Sequence, residues 1–143
     1  MESGVLGKIY EDTEIIFKQG DQGDSIFVVQ DGMVEIIHET DHGEVQLAIR
    51  GKGELFGEIA IFERAVRMAT VRALGEARVL TIDKKNFLRR INEDPSLAFR
   101  LVETMSARIR ELSTEVSFLR IKLDVNYDQK EKKIPYKKDW DKK

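Results

Sequence analysis

The residues from Gly57 to Arg67 have the types and spacing that could bind an anion. Arg67 lies ten positions after Gly57, and a short stretch with helical character separates them. Unpaired N–H groups at a helix start attract negative charge, and an arginine directed at the same place adds planar donors suited to phosphate oxygens. Glu58 can accept a hydrogen bond from a sugar hydroxyl. Because Glu58 would repel two or three phosphates, the pattern predicts a nucleotide with a single negative charge.

The composition favours one compact cytoplasmic domain. The chain has 143 residues, of which 41% are hydrophobic and 35% charged, and its net charge is -2. It has no cysteine, which excludes disulfides, thiolate metal sites and a cysteine nucleophile. The segment Met1–Gly7 lacks the pattern of a secretory signal, and no apolar stretch approaches the roughly 20 residues that a membrane span needs.

Residues 7 to about 83 read as short strands separated by turns. The dipeptide Asp31-Gly32 predicts a hairpin between strands at 25–30 and 33–38, and a second turn is predicted at 41–43. Further strands are expected at 66–73 and 78–82. Many short strands at this spacing predict a mainly β fold, an antiparallel barrel or jelly-roll-like β-roll.

From Asp83 the pattern becomes helical, with helices expected at about 84–92 and 95–124. Asp83 can cap the first helix, and Pro95 can start the second. The second helix has apolar residues at alternating steps of four and three, which predicts a parallel homodimer through a coiled-coil seam. The alternative is that one helix face packs on its own β-roll. The seam residues are Ala98, Val102, Met105, Ile109, Leu112, Val116, Leu119 and Leu123.

The C-terminal segment is rich in lysine and has few apolar residues, unlike the preceding helix. We expect residues 1–126 to form the domain and residues 127–143 to form a solvated, disordered tail. Alternatively, Tyr136 and Trp140 could anchor the tail to an acidic partner.

Taken together, the motifs resemble the cyclic nucleotide-binding domain family, which includes bacterial catabolite activators, protein kinase A regulatory subunits and cyclic nucleotide-gated channels. The resemblance covers roughly Gly7 to Asp124. The spacing from Gly57 to Arg67 is similar to that of the kinase subunits and one residue shorter than in the catabolite activator. The motifs that carry it are Phe17–Asp24, Asp31–Val34, Gly53–Ala60 and Arg67–Thr70.

The resemblance implies roles for nine residues. It implies that Gly57, Ile59 and Ala60 hold the cyclic phosphate through backbone N–H groups, and that Glu58 accepts from the ribose 2′-hydroxyl. Arg67 would pair with an exocyclic phosphate oxygen. The strand would continue with backbone contacts from Met68 and Ala69, and the purine would be capped by Ser113 and Thr114.

The function implied is that of a non-catalytic receptor that changes the orientation of its long helix when cyclic AMP binds. Members that prefer cyclic GMP often place threonine directly after the arginine, where this chain has Met68. No cofactor or metal is expected, and the downstream partner is not identified. The sequence stops after the short tail, so direct sequence-specific DNA binding is not expected.

Three alternatives are weighed against this function. A cupin-type metalloenzyme would need several histidines, and the chain offers only His38 and His42, with Glu44 near them. A serine hydrolase would need a nucleophile motif that is not found. A domain of the same fold could sense another ligand, or remain a dimerisation scaffold in which Arg67 only pairs with Glu58.

Overall fold

The computed structural model describes residues 5–63 and 66–126, with side chains to residue 124. The predicted tail at 127–143 lies outside the described residues. In chain order the elements are β1 (Lys8–Tyr10), β2 (Ile15–Phe17), β3 (Ser25–Thr40), β4 (Gly43–Gly51), β5 (Leu55–Phe56), α1 (Ile59–Phe62), β6 (Thr70–Asp83), α2 (Lys84–Glu93) and α3 (Ser96–Asn126).

The strands form one antiparallel sheet with β3 and β6 at its centre. Its main path runs β1-β6-β3-β4, while β2 pairs with β6 and β5 pairs with β3. The β3–β6 register extends from Ser25 opposite Asp83 to Ile37 opposite Thr70. A mainly β antiparallel fold with C-terminal helices is therefore confirmed, but the sheet is open and not a closed barrel.

The hairpin predicted at Asp31-Gly32 is wrong, because β3 continues through it for 16 residues. Gly32 has φ +79°, as a tight turn would require, but the pairing with β6 resumes on both sides of it after two register shifts. Gly32 therefore lies in a β-bulge and not in a chain reversal. A Cβ at this position would lie 2.2 Å from the carbonyl oxygen of Glu76, so the close approach of β6 requires a glycine.

The two strands predicted at 66–73 and 78–82 are also wrong as separate elements. They are one strand, β6, of 14 residues. Gly75 has φ +76° and marks an irregularity inside it, while Val66 makes only an isolated bridge to Gln22. The strand persists because β3 pairs with it on both sides of the glycine, from Leu74 back to Thr70 and from Arg78 onward.

The core lies between the strands and includes a stacked pair of aromatic rings. The ring centroids of Phe27 and Phe56 are 5.1 Å apart, and Phe17 packs 5.3 Å from Phe27. Phe56 is 1% exposed. Rings of this size bury enough apolar surface to dominate the local packing. The valines that complete the cluster are Val29, Val34, Val71 and Val79.

Two helices follow the strands at the expected places. Asp83 accepts a hydrogen bond from the N–H of Asn86 at 2.8 Å and so caps α2. Helix α3 begins after Pro95 and belongs to a second compact unit; the first unit ends at Asp94. Within the described residues, the helices are too short or too polar to cross a membrane.

The close approach at Gly32 generates a stability prediction. Gly32→Ala should lower the free energy of unfolding by about 2 kcal/mol or more, because a Cβ adds a backbone clash to the ~1–2 kcal/mol cost of a left-handed residue. Gly53→Ala is the matched control, since Gly53 has φ +86° but open space around it. Urea unfolding measures both variants. Equal losses would show that the contact with Glu76 contributes nothing.

Candidate anion-binding site

Arg67 is fixed by backbone pairing to the turn that follows β2. Its N–H donates to the carbonyl of Asp21 at 2.7 Å, and its own carbonyl accepts from the N–H of Gly20 at 2.8 Å. The side chain is buried, with 6% of the residue exposed. The chain direction at Arg67 is therefore set by a segment more than 40 residues earlier.

The Arg67 guanidinium bonds to two main-chain carbonyls. Its Nη1 donates to Gly57 O at 3.0 Å, and its Nη2 donates to Ser25 O at 3.1 Å. Its central carbon lies 4.2 Å from the centroid of the Phe17 ring, a cation–π contact. A guanidinium has further N–H donors beyond these two, so the group is positioned while it can still bind an anion.

Two glycines make room for this guanidinium. A Cβ at Gly23 would lie 2.5 Å from both Nε and Nη2 of Arg67. A Cβ at Gly57, where φ is +75°, would lie 3.0 Å from the Phe27 ring and 3.1 Å from Nη1. Gly57 therefore supplies both a turn and a close approach, and its carbonyl is one of the acceptors that hold the arginine.

The electrostatic environment of Arg67 combines burial with nearby acids. Burial lowers the pKa of the guanidinium, because desolvation disfavours the charged form, and the carboxylates of Asp24, Asp21 and Glu58 act in the opposite direction. An arginine remains protonated at physiological pH despite such a shift. A bound anion would further offset the cost of burying this charge.

Helix α1 begins at Ile59, two residues after Gly57. Glu58 occupies its N-cap position and is half-buried, and its carbonyl accepts from the N–H of Ile61 at 3.0 Å. The N–H groups of Ile59 and Ala60 precede the first donor of the helix and therefore lack an intrahelical acceptor by geometry. Ile59 is exposed, and Ala60 is buried. The first turn thus lies next to the residue whose carbonyl binds the guanidinium.

The structure brings some of the nine expected residues together. Gly57 and Arg67 are in direct contact, Glu58, Ile59 and Ala60 continue from the glycine, and Met68 and Ala69 continue from the arginine toward β6. Met68 is 64% exposed. Both hydrogen bonds that the structure gives the guanidinium end on main-chain carbonyls and not on Glu58.

Ser113 and Thr114 lie on α3 in the second unit. The hydroxyl of Thr114 donates to the carbonyl of Arg110, four residues earlier, at 3.0 Å. Their role in capping a purine stays a prediction.

Sequence reasoning missed the residues that contact the Arg67 side chain from earlier in the sequence. Phe17 covers the guanidinium, Ser25 supplies an acceptor and Gly23 leaves space. The signals were the turn cluster at 20–24 and the Phe17–Asp24 motif of the resemblance, which indicated a turn but not its contact with Arg67. Ser25 is 42 positions from Arg67.

The described part of the chain contains no cluster of side chains that could form a metal site. His38 and His42 are exposed, and His42 lies in the turn between β3 and β4, where its N–H donates to the hydroxyl of Thr40 at 3.1 Å. Among residues 5–63 and 66–126, no three or more histidine, aspartate or glutamate side chains lie together as metal ligands would.

Comparison with known proteins identifies the family of the chain. The family model described as a cyclic nucleotide-binding domain matches residues 8–94. The cyclic AMP receptor protein of Thermus thermophilus is 30% identical over 113 residues, or 78% of this chain and 52% of that protein. The type II regulatory subunit of the cAMP-dependent protein kinase of Drosophila melanogaster is 33% identical over 90 residues, or 62% of this chain and 24% of that protein.

A solved structure supports the fold independently. The catabolite activator protein of Thermus thermophilus superposes with a TM-score of 0.71 at 31% identity, covering 79% of this chain and 54% of that chain. The chain thus spans about half the length of the Thermus proteins. The resemblance inferred from the motifs is confirmed, and the chain belongs to the cyclic nucleotide-binding domain family.

Proposed function

We propose that the domain is a non-catalytic cytoplasmic receptor that binds cyclic AMP beside Arg67. The observation that carries the proposal is the buried guanidinium of Arg67, which is held against Gly57 O at 3.0 Å at the start of α1. A charged group is rarely buried in a protein unless it is paired or binds a ligand. An anion at this place would meet the arginine and the first N–H groups of α1 together.

The nearby acids favour a ligand with one negative charge. Asp21, Asp24 and Glu58 all act electrostatically on Arg67. A nucleoside di- or triphosphate would add further negative charge beside these three carboxylates. A cyclic phosphodiester carries one charge, which the guanidinium can balance, and it leaves a ribose 2′-hydroxyl that Glu58 can accept from.

The adenine nucleotide is preferred because of the residue after the arginine. Met68 is 64% exposed and has no hydroxyl to offer a guanine base. The relatives carry the same ligand in their names, a cyclic AMP receptor and a cAMP-dependent kinase subunit. Cyclic GMP is expected to bind more weakly at the same site.

Calorimetric titration with cyclic AMP tests the proposal. Arg67→Ala should weaken binding by about tenfold or more, because a hydrogen bond to a charged group is worth ~1.5–3 kcal/mol. Arg72→Ala is the matched control: Arg72 forms ion pairs with Glu35 and Glu44 on the sheet, and its removal should leave the affinity unchanged.

Two further titrations compare a second variant and a second nucleotide. Glu58→Gln should cost less than Arg67→Ala, since the sugar contact involves only one charged partner. Cyclic GMP should bind the unaltered chain more weakly than cyclic AMP. The proposal is contradicted if the unaltered chain binds neither nucleotide, or if Arg67→Ala and Arg72→Ala bind cyclic AMP equally well.

The proposed signal is a shift in the conformation of α3. The anion would fix Gly57 and Arg67, while the base would contact α3 near Ser113 and Thr114. A ligand shifts a conformational equilibrium toward the state that it binds more tightly. The downstream partner would then sense the altered helix.

Hydrogen exchange should detect this shift. Addition of cyclic AMP should increase the protection of amides in residues 96–124, because the helix that contacts the base would open less often. Arg67→Ala at the same nucleotide concentration is the control and should show little change. Unaltered protection across residues 96–124 at saturating ligand would exclude the proposed role of α3.

We also propose that α3 forms a parallel homodimer. Helix α3 carries exposed apolar side chains at the expected seam positions, including Val102 at 60%, Ile109 at 63%, Leu112 at 59% and Leu119 at 56% exposure. Apolar residues spaced by three and four positions are buried when two helices associate. The exposed apolar residues along the helix support the association.

Sedimentation at micromolar concentration measures this dimer. The unaltered chain should sediment as a dimer, and Leu112→Lys should shift it strongly toward monomer by placing a charge in the seam. Glu111→Lys is the control, because Glu111 is exposed beside the seam and not in it. A monomeric unaltered chain would rule the helix dimer out.

A further inference from the structure

The turn that pairs with Arg67 spans residues 18–21 and is closed by its own hydrogen bonds. The N–H of Asp21 donates to the carbonyl of Lys18 at 3.0 Å, and the N–H of Lys18 donates to the Asp21 carboxylate at 3.0 Å. Arg67 precedes the first residue of β6, and its backbone bonds to Gly20 and Asp21 of this turn. The backbone position of Arg67 therefore depends on where the turn is held.

Gln19, inside this turn, joins it to the end of β3. The side-chain Oε1 of Gln19 accepts from the N–H of Glu39 at 2.8 Å, and its Nε2 donates to the carbonyl of Glu39 at 3.1 Å. An amide side chain has both a donor and an acceptor, so it can pair with both main-chain groups of one residue. The turn is thereby attached to a strand residue that lies 20 positions away in the sequence.

Thr70 joins the same turn to the first residue of β6. Its hydroxyl oxygen accepts from the N–H of Gln19 at 2.9 Å, across 51 positions of the sequence. Thr70 is 4% exposed. Because an N–H that loses its acceptor away from water costs more than an average hydrogen bond contributes, the turn depends on this hydroxyl.

Glu39 orients the hydroxyl of Thr70. A hydroxyl has one proton, and the N–H of Gln19 can only donate, so the proton must be directed to another group. The hydroxyl donates it to Oε2 of Glu39. Thr70 lies opposite Ile37 in the β3–β6 register, and Glu39 is two residues further along β3, as a diagonal neighbour. The carboxylate therefore leaves a lone pair of the hydroxyl directed at the turn.

The segment 67–70 is bonded to the turn at both of its ends. Arg67 is held by its two backbone hydrogen bonds, and Thr70 is held through its hydroxyl. A short segment fixed at both ends keeps few backbone conformations. The guanidinium of Arg67 therefore starts from a defined place when it reaches the carbonyls of Gly57 and Ser25.

We propose that Gln19, Glu39 and Thr70 position Arg67 for the anion, and that the Thr70 hydroxyl is the group on which the other two converge. They act on Arg67 through the backbone of residues 67–70 and not through its guanidinium. An effect on nucleotide affinity rests on the proposed cyclic AMP site, whereas the positioning itself can be measured without a nucleotide.

Amide hydrogen exchange of the nucleotide-free full chain, resolved by NMR, tests the positioning. Thr70→Val removes the hydroxyl and should speed exchange of the Gly20 and Arg67 amides roughly tenfold, because the turn would separate from Arg67 more often. Thr70→Ser keeps the hydroxyl and should restore most of the protection. The amide of Val79, which lies inside β6 between β1 and β3, should keep its rate and so separate a local effect from a global one.

Thr81→Val is the matched control. Thr81 is exposed on the same strand, so the same substitution there should leave the Gly20 and Arg67 amides unchanged. Gln19→Ala is a second variant that leaves Thr70 intact. It removes both side-chain bonds to Glu39 and should speed exchange of the Arg67 amide roughly threefold or more.

Calorimetry with cyclic AMP measures the consequence for the ligand. Thr70→Val should weaken binding roughly fivefold, while Thr70→Ser and Thr81→Val should stay close to the unaltered chain. In an Arg67→Ala background, Thr70→Val should have little further effect, because two changes that act through one group are not additive.

Three results would overturn this inference. The Gly20 and Arg67 amides could exchange in Thr70→Val, or the Arg67 amide in Gln19→Ala, as slowly as in the unaltered chain. Thr70→Val could speed exchange at Val79 equally, which would indicate a general loss of stability. It could also weaken cyclic AMP binding as much without Arg67 as with it. An unaltered chain that binds no cyclic AMP would contradict the proposed function, while the exchange rates would still decide the positioning of Arg67.

Discussion

The buried guanidinium of Arg67 is the constraint on which the rest of the site depends. Moving a charge of this kind out of water costs several kcal/mol even after the protein relaxes. The structure offsets that cost with two carbonyl acceptors, the face of Phe17 and the field of three nearby carboxylates. Both hydrogen bonds that the structure gives the guanidinium are accepted by neutral main-chain carbonyls, and the carboxylates act on it electrostatically.

This arrangement connects segments that are far apart in the sequence. The turn after β2 holds the backbone of Arg67, the start of β3 and Gly57 hold its guanidinium, and the absence of a side chain at Gly23 leaves the space that it fills. A change in any one of them moves the same group. The site is therefore a property of the packed sheet more than of the segment between Gly57 and Arg67.

Sequence reasoning succeeded where the signal is local and failed where it depends on pairing. The spacing from Gly57 to Arg67, the cap at Asp83 and the helix start after Pro95 each involve residues within ten positions of one another. At Asp31-Gly32, by contrast, the sequence indicates a positive φ but cannot tell a chain reversal from a bulge. That choice is made by Glu76, whose carbonyl approaches Gly32 from another strand. The same limit hid Phe17, Gly23 and Ser25, whose relation to Arg67 exists only after the sheet has formed.

The continuity of β6 gives the molecule a stiff internal connection. The strand begins three residues after Arg67 and ends at Asp83, the residue that caps α2. Its 14 residues extend about 45 Å at roughly 3.3 Å per residue, and β1, β2 and β3 all bond to it. A strand paired on so many sides connects the residues beside Arg67 to the first turn of α2, and Gly75 is the one residue of β6 with a positive φ.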